Sequence, residues 1–236
     1  MTEELSPPVA EWLAYLGEIG FEDLYLPRQP AGEGGGAIRS KGAPAGERSG
    51  ALQELAAVAS GCTKCRLSES RRRVVFGSGD PDADLMFIGE GPGAEEDRQG
   101  LPFVGPAGDL LTRIIRAIGL AREQVYIANI VKCRPPGNRD PQPDEVASCR
   151  GYLERQIELV QPRVLVLLGR VAAQTLLRNE LSLGRMRGRW YRVQGVDARV
   201  TYHPAALLRK ESLKRPTWED MQVVRDRLNE IAGSSA

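Results

Sequence analysis

Residues 164–168 read Val-Leu-Val-Leu-Leu, an apolar run with no polar position inside it. A strand with one wet face would alternate. An unbroken run of β-branched and leucine residues therefore predicts a strand covered on both faces, as in a parallel sheet held between helical layers. The surrounding chain agrees with this. Leu85–Gly89 is a second short apolar run, ending in Gly-Glu-Gly-Pro-Gly, and 125–131 is a third. Between them Leu110, Leu111, Ile114, Ile115 and Ile118 recur at helical spacing within 108–120. Helices are predicted over 144–160 behind Pro143, over 170–178 and over 218–231, and further strands over 190–193 and 199–202. Strand and helix signals that alternate in this way predict an α/β domain over residues 51–236, with ligands gathering at the carboxyl ends of the strands.

The first fifty residues read differently. Ser6 and Pro7 suit an N-cap and a first turn, and Val9, Trp12, Leu13, Leu16 and Ile19 then mark one face of a short amphipathic helix over 7–20. From 27 to 50 the sequence turns to Gly, Ala and Pro, with Gly34, Gly35 and Gly36 in succession. Such a stretch has too little apolar surface to offset its ordering entropy, so it predicts a flexible linker. Residues 1–50 are thus expected to be an N-terminal extension whose helix docks on the main domain or on a protein partner.

Charge is also uneven. Residues 1–50 hold eight acids and four bases, a net −4, whereas the remainder holds 28 bases and 23 acids, a net +5. Lys and Arg gather in three places: Lys64, Arg66 and Arg71 to Arg73; Arg185, Arg187, Arg189 and Arg192; and Arg209, Lys210, Lys214 and Arg215. Local basic clusters are what phosphate contacts require, whatever the net charge. No apolar run approaches the length of a bilayer span, and the chain begins Met-Thr-Glu-Glu without the basic and apolar regions of a secretory signal. The expectation is a cytoplasmic protein with no membrane association.

Cys62 and Cys65 form a C-x2-C pair, and Cys133 and Cys149 complete a set of four. Stable disulfides do not suit a cytoplasmic chain, so the four thiols point to a metal or cluster site. Zinc sites often use two short knuckles and here only one pair is short, while thiolates from distant segments also suit a [4Fe–4S] cluster. Spacing leaves both open.

The remaining motifs are weak one at a time. Gly89-Glu90-Gly91-Pro92-Gly93 follows a strand and would let backbone N–H groups approach a ligand. Asn129 sits inside an apolar strand, where a buried amide must find partners. His203, the sole histidine, ends a strand and precedes Pro204. Their order is more specific: the C-x2-C pair, Gly-Glu-Gly-Pro-Gly followed by Glu95-Glu96-Asp97, 100–105 reading Gly-Leu-Pro-Phe-Val-Gly, Asn129 ahead of Cys133-Arg134-Pro135-Pro136, Cys149, and His203-Pro204. From residue 51 to about 231 this resembles the family 4 uracil-DNA glycosylases, the iron–sulfur type.

The resemblance implies a central four-stranded parallel sheet flanked by helices in three α/β/α layers. It also implies a [4Fe–4S] cluster on Cys62, Cys65, Cys133 and Cys149, and uracil-containing DNA as partner. The expected activity is monofunctional: uracil is flipped from single- or double-stranded DNA and its N-glycosidic bond hydrolysed, leaving an abasic site for base-excision repair. The enzyme is expected to act as a monomer.

Within that reading Phe103 stacks on the base, and the Asn129 carboxamide accepts from uracil N3–H and donates to O4, an edge that cytosine does not present. His203 donates to O2 as negative charge develops there. Gly91 stands where better-known uracil glycosylases carry a water-positioning aspartate. Glu90 is left to order the water, to order the loop or to satisfy buried N–H groups. Glu96 is expected either to line the pocket near C5, excluding thymine's methyl, or to be a solvated acid. Arg134, Arg187, Leu207 and Arg209 are expected to contact DNA, Arg187 near its backbone or else under the His203 loop, with Leu207, Leu208 and Arg209 filling the space left by the flipped base. The missing aspartate also suits a uracil- or damaged-DNA-binding protein with little turnover, and the cysteines suit an iron–sulfur accessory module.

Overall fold

The structure is a computed structural model that describes residues 45–233. The predicted helix over 7–20 and most of the predicted linker lie outside the described residues. Six strands form one sheet in the order β1-β3-β2-β4-β6-β5. These are β1 (Ser78–Gly79), β2 (Leu85–Gly89), β3 (Tyr126–Asn129), β4 (Val164–Leu168), β5 (Trp190–Val193) and β6 (Val196–Thr201). The four central strands β3, β2, β4 and β6 run parallel, as the family resemblance implies. β1 and β5 extend the sheet antiparallel at its two edges, so the complete sheet is mixed.

Every residue of β2 and of β4 is buried. Met86, Ile88, Leu165 and Leu167 point to one face and pack with Leu52, Leu153, Ile157 and Ala172. These partners come from α1 (Ala45–Ser60), α5 (Pro143–Val160) and α6 (Arg170–Leu177). Leu85, Phe87, Val164, Val166 and Leu168 point to the other face, against Leu111, Ile115, Met221 and Val224 of α4 (Pro106–Ala117) and α9 (Lys214–Gly233). Alternate side chains of one strand thus build two cores, giving three layers. Among the described residues, no helix is long and apolar enough to cross a membrane.

Short helices complete the order: α2 (Leu67–Ser70), α3 (Ala94–Gln99), α7 (Leu183–Met186) and α8 (Pro204–Arg209). Pro143 opens α5 and Pro106 opens α4, where the missing N–H has no partner to lose. α9 starts at Lys214, four residues ahead of the predicted start, because Pro216 falls in its first turn and is tolerated there.

The predicted boundary at residue 50 needs correction. Residues 45–50 are the first turns of α1, not linker. Arg48 is buried and ion-paired to Asp82, and Leu52 enters the core. Burial of these two side chains on the domain outweighs the poor helix propensity of Gly46 and Gly50. Arg48→Ala should therefore destabilise the domain by about 1.5–3 kcal/mol, the worth of a hydrogen bond to a charged group. In thermal unfolding that is a fall in Tm of roughly 3–10 °C for a domain of this size.

Candidate active site

The parallel register of β2 on β3 pairs Gly89 with Asn129 at the carboxyl ends of both strands. Asn129 is almost wholly buried, and its Oδ1 has no hydrogen-bond partner among the described residues. A Cβ on Gly89 would stand 2.4 Å from that Oδ1 and 2.6 Å from the ring of Phe103. Only a glycine lets the amide and the ring meet over the strand end.

Phe103 holds φ 52°, in the left-handed region that costs a non-glycine residue free energy. Its loop is fixed from two sides. Glu96 accepts from the N–H groups of Val104 and Gly105 at 3.1 and 3.2 Å and, through its other oxygen, from Gly93 at 3.1 Å. Arg122 donates to the Pro102 carbonyl at 2.6 Å. The carboxylate of Glu96 thus ties the Phe103 loop to the Gly-Glu-Gly-Pro-Gly loop. Glu96 lines the cavity, as one of its two readings from the sequence has it, and the engagement of its oxygens by backbone amides is what neither reading included.

His203 caps α8, its Nδ1 accepting from the Ala205 N–H at 3.2 Å. With Nδ1 occupied as an acceptor, the proton of the neutral ring is on Nε2, which is free to donate. The His203 and Phe103 rings lie 5.4 Å apart between centroids, tilted by 31°. Burial, with Arg209 adding repulsion, pushes the imidazole down to about 4, so it is neutral across physiological pH. Gly169, at φ +90°, passes beneath; a Cβ there would lie 3.0 Å from that of His203.

One cavity of about 390 Å³ is lined by Glu90, Gly91, Glu96, Phe103, Asn129, His203 and Arg209. A Cβ on Gly91 would meet Val131 at 2.8 Å, so this loop packs too tightly there for any side chain. Glu90 is half-buried, and burial followed by the nearby Asp140 carboxylate raises it to about 7. Asn138, Arg139 and Asp140 also line the cavity, and the sequence reading missed them. Their signal is a run of polar side chains after Pro135-Pro136, in a loop at the carboxyl end of β3. Arg139 locks that loop by gripping the buried Glu145 through two nitrogens, at 2.8 and 2.6 Å. Arg134 reaches the rim, donating to Asn138 Oδ1 at 2.8 Å.

Of the sequence-predicted contacts, Leu207 falls elsewhere and Arg187 takes the inner of its two expected places. Leu207 is buried, whereas its neighbour Leu208 is 53 % exposed: the helical phase of α8 turns Pro204 and Leu207 into the domain and Leu208 outward. Arg187 faces inward, donating to Asp220 at 2.7 Å and to the Pro216 carbonyl, with its guanidinium 4.4 Å above the Tyr202 ring. It braces the strand end before His203 through Nε and one terminal nitrogen, the inner of the two places the sequence offered for it.

Cys62, Cys65, Cys133 and Cys149 line one small cavity together with Lys64, Arg71, Lys132 and Tyr152. Arg71 donates to Cys133 Sγ at 3.4 Å and the Lys132 N–H to Cys149 Sγ at 3.3 Å. Burial holds the Cys133 and Cys149 thiols above their ordinary value, Arg71 and Lys132 oppose it, and a bound cation would complete the compensation. Lys132, also missed in the sequence, is fully buried; its Nζ donates to the Asn129 carbonyl at 2.9 Å and to Gln156 Oε1. It links the cysteine cavity to the strand that carries Asn129.

The profile of the uracil DNA glycosylase superfamily matches residues 76–222. The chain belongs to the uracil-DNA glycosylase superfamily. The superfamily match spans every cavity residue from Glu90 to Arg209, whereas Cys62 and Cys65 precede it. Among curated relatives, the Type-4 uracil-DNA glycosylase of Sulfurisphaera tokodaii is 44% identical over 174 residues, covering 70% of this chain and 79% of that protein. The Type-4 uracil-DNA glycosylase of Thermotoga maritima is 46% identical over 167 residues, covering 68% of this chain and 86% of that protein. The Type-5 uracil-DNA glycosylase of Thermus thermophilus is 36% identical over 120 residues and spans 44% of this chain.

The imidazole geometry of this superfamily member has a direct spectroscopic consequence. Nitrogen NMR of His203, the sole histidine, should show a neutral ring protonated on Nε2 at pH 6, titrating near 4. A ring titrating near about 6.5, the ordinary histidine value, would contradict the buried, acceptor-occupied geometry.

Proposed function

We propose that this chain is a monofunctional uracil-DNA glycosylase that takes uracil out of single- or double-stranded DNA, hydrolyses its N-glycosidic bond and leaves an abasic site. The observation that carries the reading is the buried Asn129 carboxamide, whose Oδ1 has no partner among the described residues and which lines a cavity shared with the Phe103 ring and the His203 imidazole. A buried acceptor left open is costly unless a ligand donor completes it. Uracil N3–H is such a donor, and the amide nitrogen can then donate to O4. Cytosine presents an acceptor at N3 and a donor at its exocyclic amine, so it meets this amide with two mismatches.

An extruded base stacked on Phe103 gains about 1–3 kcal/mol, by analogy with other aromatic base platforms. As the C1′–N1 bond lengthens, negative charge gathers on uracil O2, and a neutral Nε2–H of His203 donates to it. A neutral donor suits this step, because it reserves its strongest interaction for the charge that appears in the transition state. Glu90 holds the water that attacks C1′. Leu208, exposed on α8, fills the place of the flipped base, with Arg209 and Arg134 near the DNA backbone.

The four cysteines would hold a [4Fe–4S] cluster. When bound, it supplies a cross-link and no turning-over chemistry. Its ligands tie the segment after α1 to the loop after β3 and to α5, and so brace the loop that carries Arg134 and Asp140. The enzyme works as a monomer in the cytoplasm.

Uracil-containing oligonucleotide treated with the enzyme and then with alkali should break at uracil over many turnovers. His203→Ala should slow cleavage about 100 to 1000-fold with little loss of DNA binding. Gly89→Ala should cost about 100-fold or more, because displacement of Asn129 and Phe103 by an ångström spoils the pocket. Wild-type rates in both variants, or cleavage that stops at one turnover, would overturn the reading. Brown protein that bleaches on reduction supports the cluster, and colourless protein with stoichiometric zinc refutes it.

A further inference from the structure

Five described non-glycine residues hold a positive φ. Gln161 and Arg178 end helices, Gln194 turns the hairpin between β5 and β6, and Asn138 is an asparagine, a residue type that accepts the left-handed region. None of these reasons applies to Phe103, whose ring lines the cavity. A bulky residue keeps such a conformation only where its surroundings over-determine it. Because peptides are planar, φ and ψ set the orientation of the peptide before a Cα relative to the peptide after it. The conformation is therefore held when both peptides are held.

Around Phe103 both are held. In the peptide before it, the Pro102 carbonyl accepts from Arg122 at 2.6 Å. In the peptide after it, the Val104 N–H donates to Glu96 at 3.1 Å, and the Phe103 carbonyl lies against Gly108, where a Cβ would stand 1.9 Å from its oxygen. Arg122 is itself located through its other terminal nitrogen, which donates to Thr112 Oγ1 at 3.1 Å. That hydroxyl donates in turn to the Gly108 carbonyl at 3.0 Å. One guanidinium thus spans the peptide ahead of Phe103 and the turn of α4 that backs the peptide behind it. Arg122 opens the short turn Arg122–Gln124 ahead of β3 and does not line the cavity.

We propose that Arg122 is a positioning residue for base recognition: by gripping the Pro102 carbonyl and Thr112 together, it keeps Phe103 in its left-handed conformation and the ring in the cavity beside His203. The inference rests on the base-stacking role given to Phe103 above. Without the grip the Pro102–Phe103 peptide turns, Phe103 relaxes toward negative φ, and the ring leaves its place 5.4 Å from the imidazole. Glu96 does not suffice, because it holds only the N–H groups beyond Phe103. Lysine does not replace Arg122, because an ammonium lacks the rigid fork that fixes two oxygens at once. Glycine at 103 would adopt the backbone unaided but would bring no ring to the base.

The test uses the full chain with its cysteine site loaded, as parent, Arg122→Met, Phe103→Leu and the two substitutions combined. One readout is proton NMR of His203, the sole histidine, whose carbon-bound ring protons feel the ring current of Phe103. In Arg122→Met these signals should move close to their positions in Phe103→Leu. The other readout is kcat/KM on a uracil-containing oligonucleotide, which should fall about 5 to 100-fold in Arg122→Met, the range of a lost base–aromatic stack. In the Phe103→Leu background the same substitution should cost about twofold or less, because no aromatic ring is left to position. Thr112→Val removes one hydroxyl and should repeat both effects on a smaller scale, so a fold lost in Arg122→Met does not end the test. Imidazole signals that stay at their parental positions overturn the inference, and so does a full Arg122→Met loss in the Phe103→Leu background. Signals that move while Phe103→Leu cleaves uracil at the parental rate uphold the positioning of the ring and overturn the stacking role of Phe103.

Discussion

The close approach at the end of β2 governs the site. Gly89 has no side chain, so the Asn129 amide on the neighbouring strand and the Phe103 ring can occupy the space above it. The pairing of Gly89 with Asn129 is itself a consequence of the parallel ladder. Because side chains alternate along a strand, a slip of one residue would send the amide into the opposite face of the sheet. The two fully buried strands that set this register are thus as much a part of the site as the residues that touch a base.

Around that point, loops are held by charged side chains turned toward the backbone or toward each other. Glu96 gathers three amide N–H groups, and Glu145 gathers one together with the fork of Arg139. Lys132 gathers the Asn129 carbonyl and the Gln156 amide. Such groups are costly to bury unless fully partnered, and here they have partners. The contrast with Asn129 Oδ1, buried and left open, is what separates the binding edge from its scaffold. The cysteine cavity joins the same framework through Lys132, whose N–H faces Cys149 and whose ammonium reaches the strand of the base-reading amide.

The main elements were legible in local pattern. Val164–Leu168 and Leu85–Gly89 announce buried parallel strands because nothing polar interrupts them, and the motif order from Gly89 to His203 names the residues that line the cavity. Where the reading failed, a distant partner decided the outcome. Residues 45–50 look like linker by composition, but Asp82 and the core recruit Arg48 and Leu52 into a helix. Leu207 and Leu208 are equivalent as letters, and only the docking of α8 tells which one is outside. Arg187 reads as one basic residue among several, until Asp220 and Tyr202, from other elements, enclose it.

The sequence by itself determined the layered α/β architecture, the four thiols, and the identities of the amide, the ring and the imidazole. The strand and helix pattern follows from periodicity, a property of short stretches of chain, whereas the layering and the choice of amide, ring and imidazole follow from a motif order that resembles the family 4 glycosylases. Tertiary structure alone decided that Oδ1 of Asn129 is left without a partner, that His203 presents Nε2–H, that Glu96 serves the loops, and that Asp140 lines the same cavity as Glu90. Each of those depends on which groups from remote segments come within hydrogen-bonding distance, a quantity set by how helices and strand ends pack and not by neighbours in sequence.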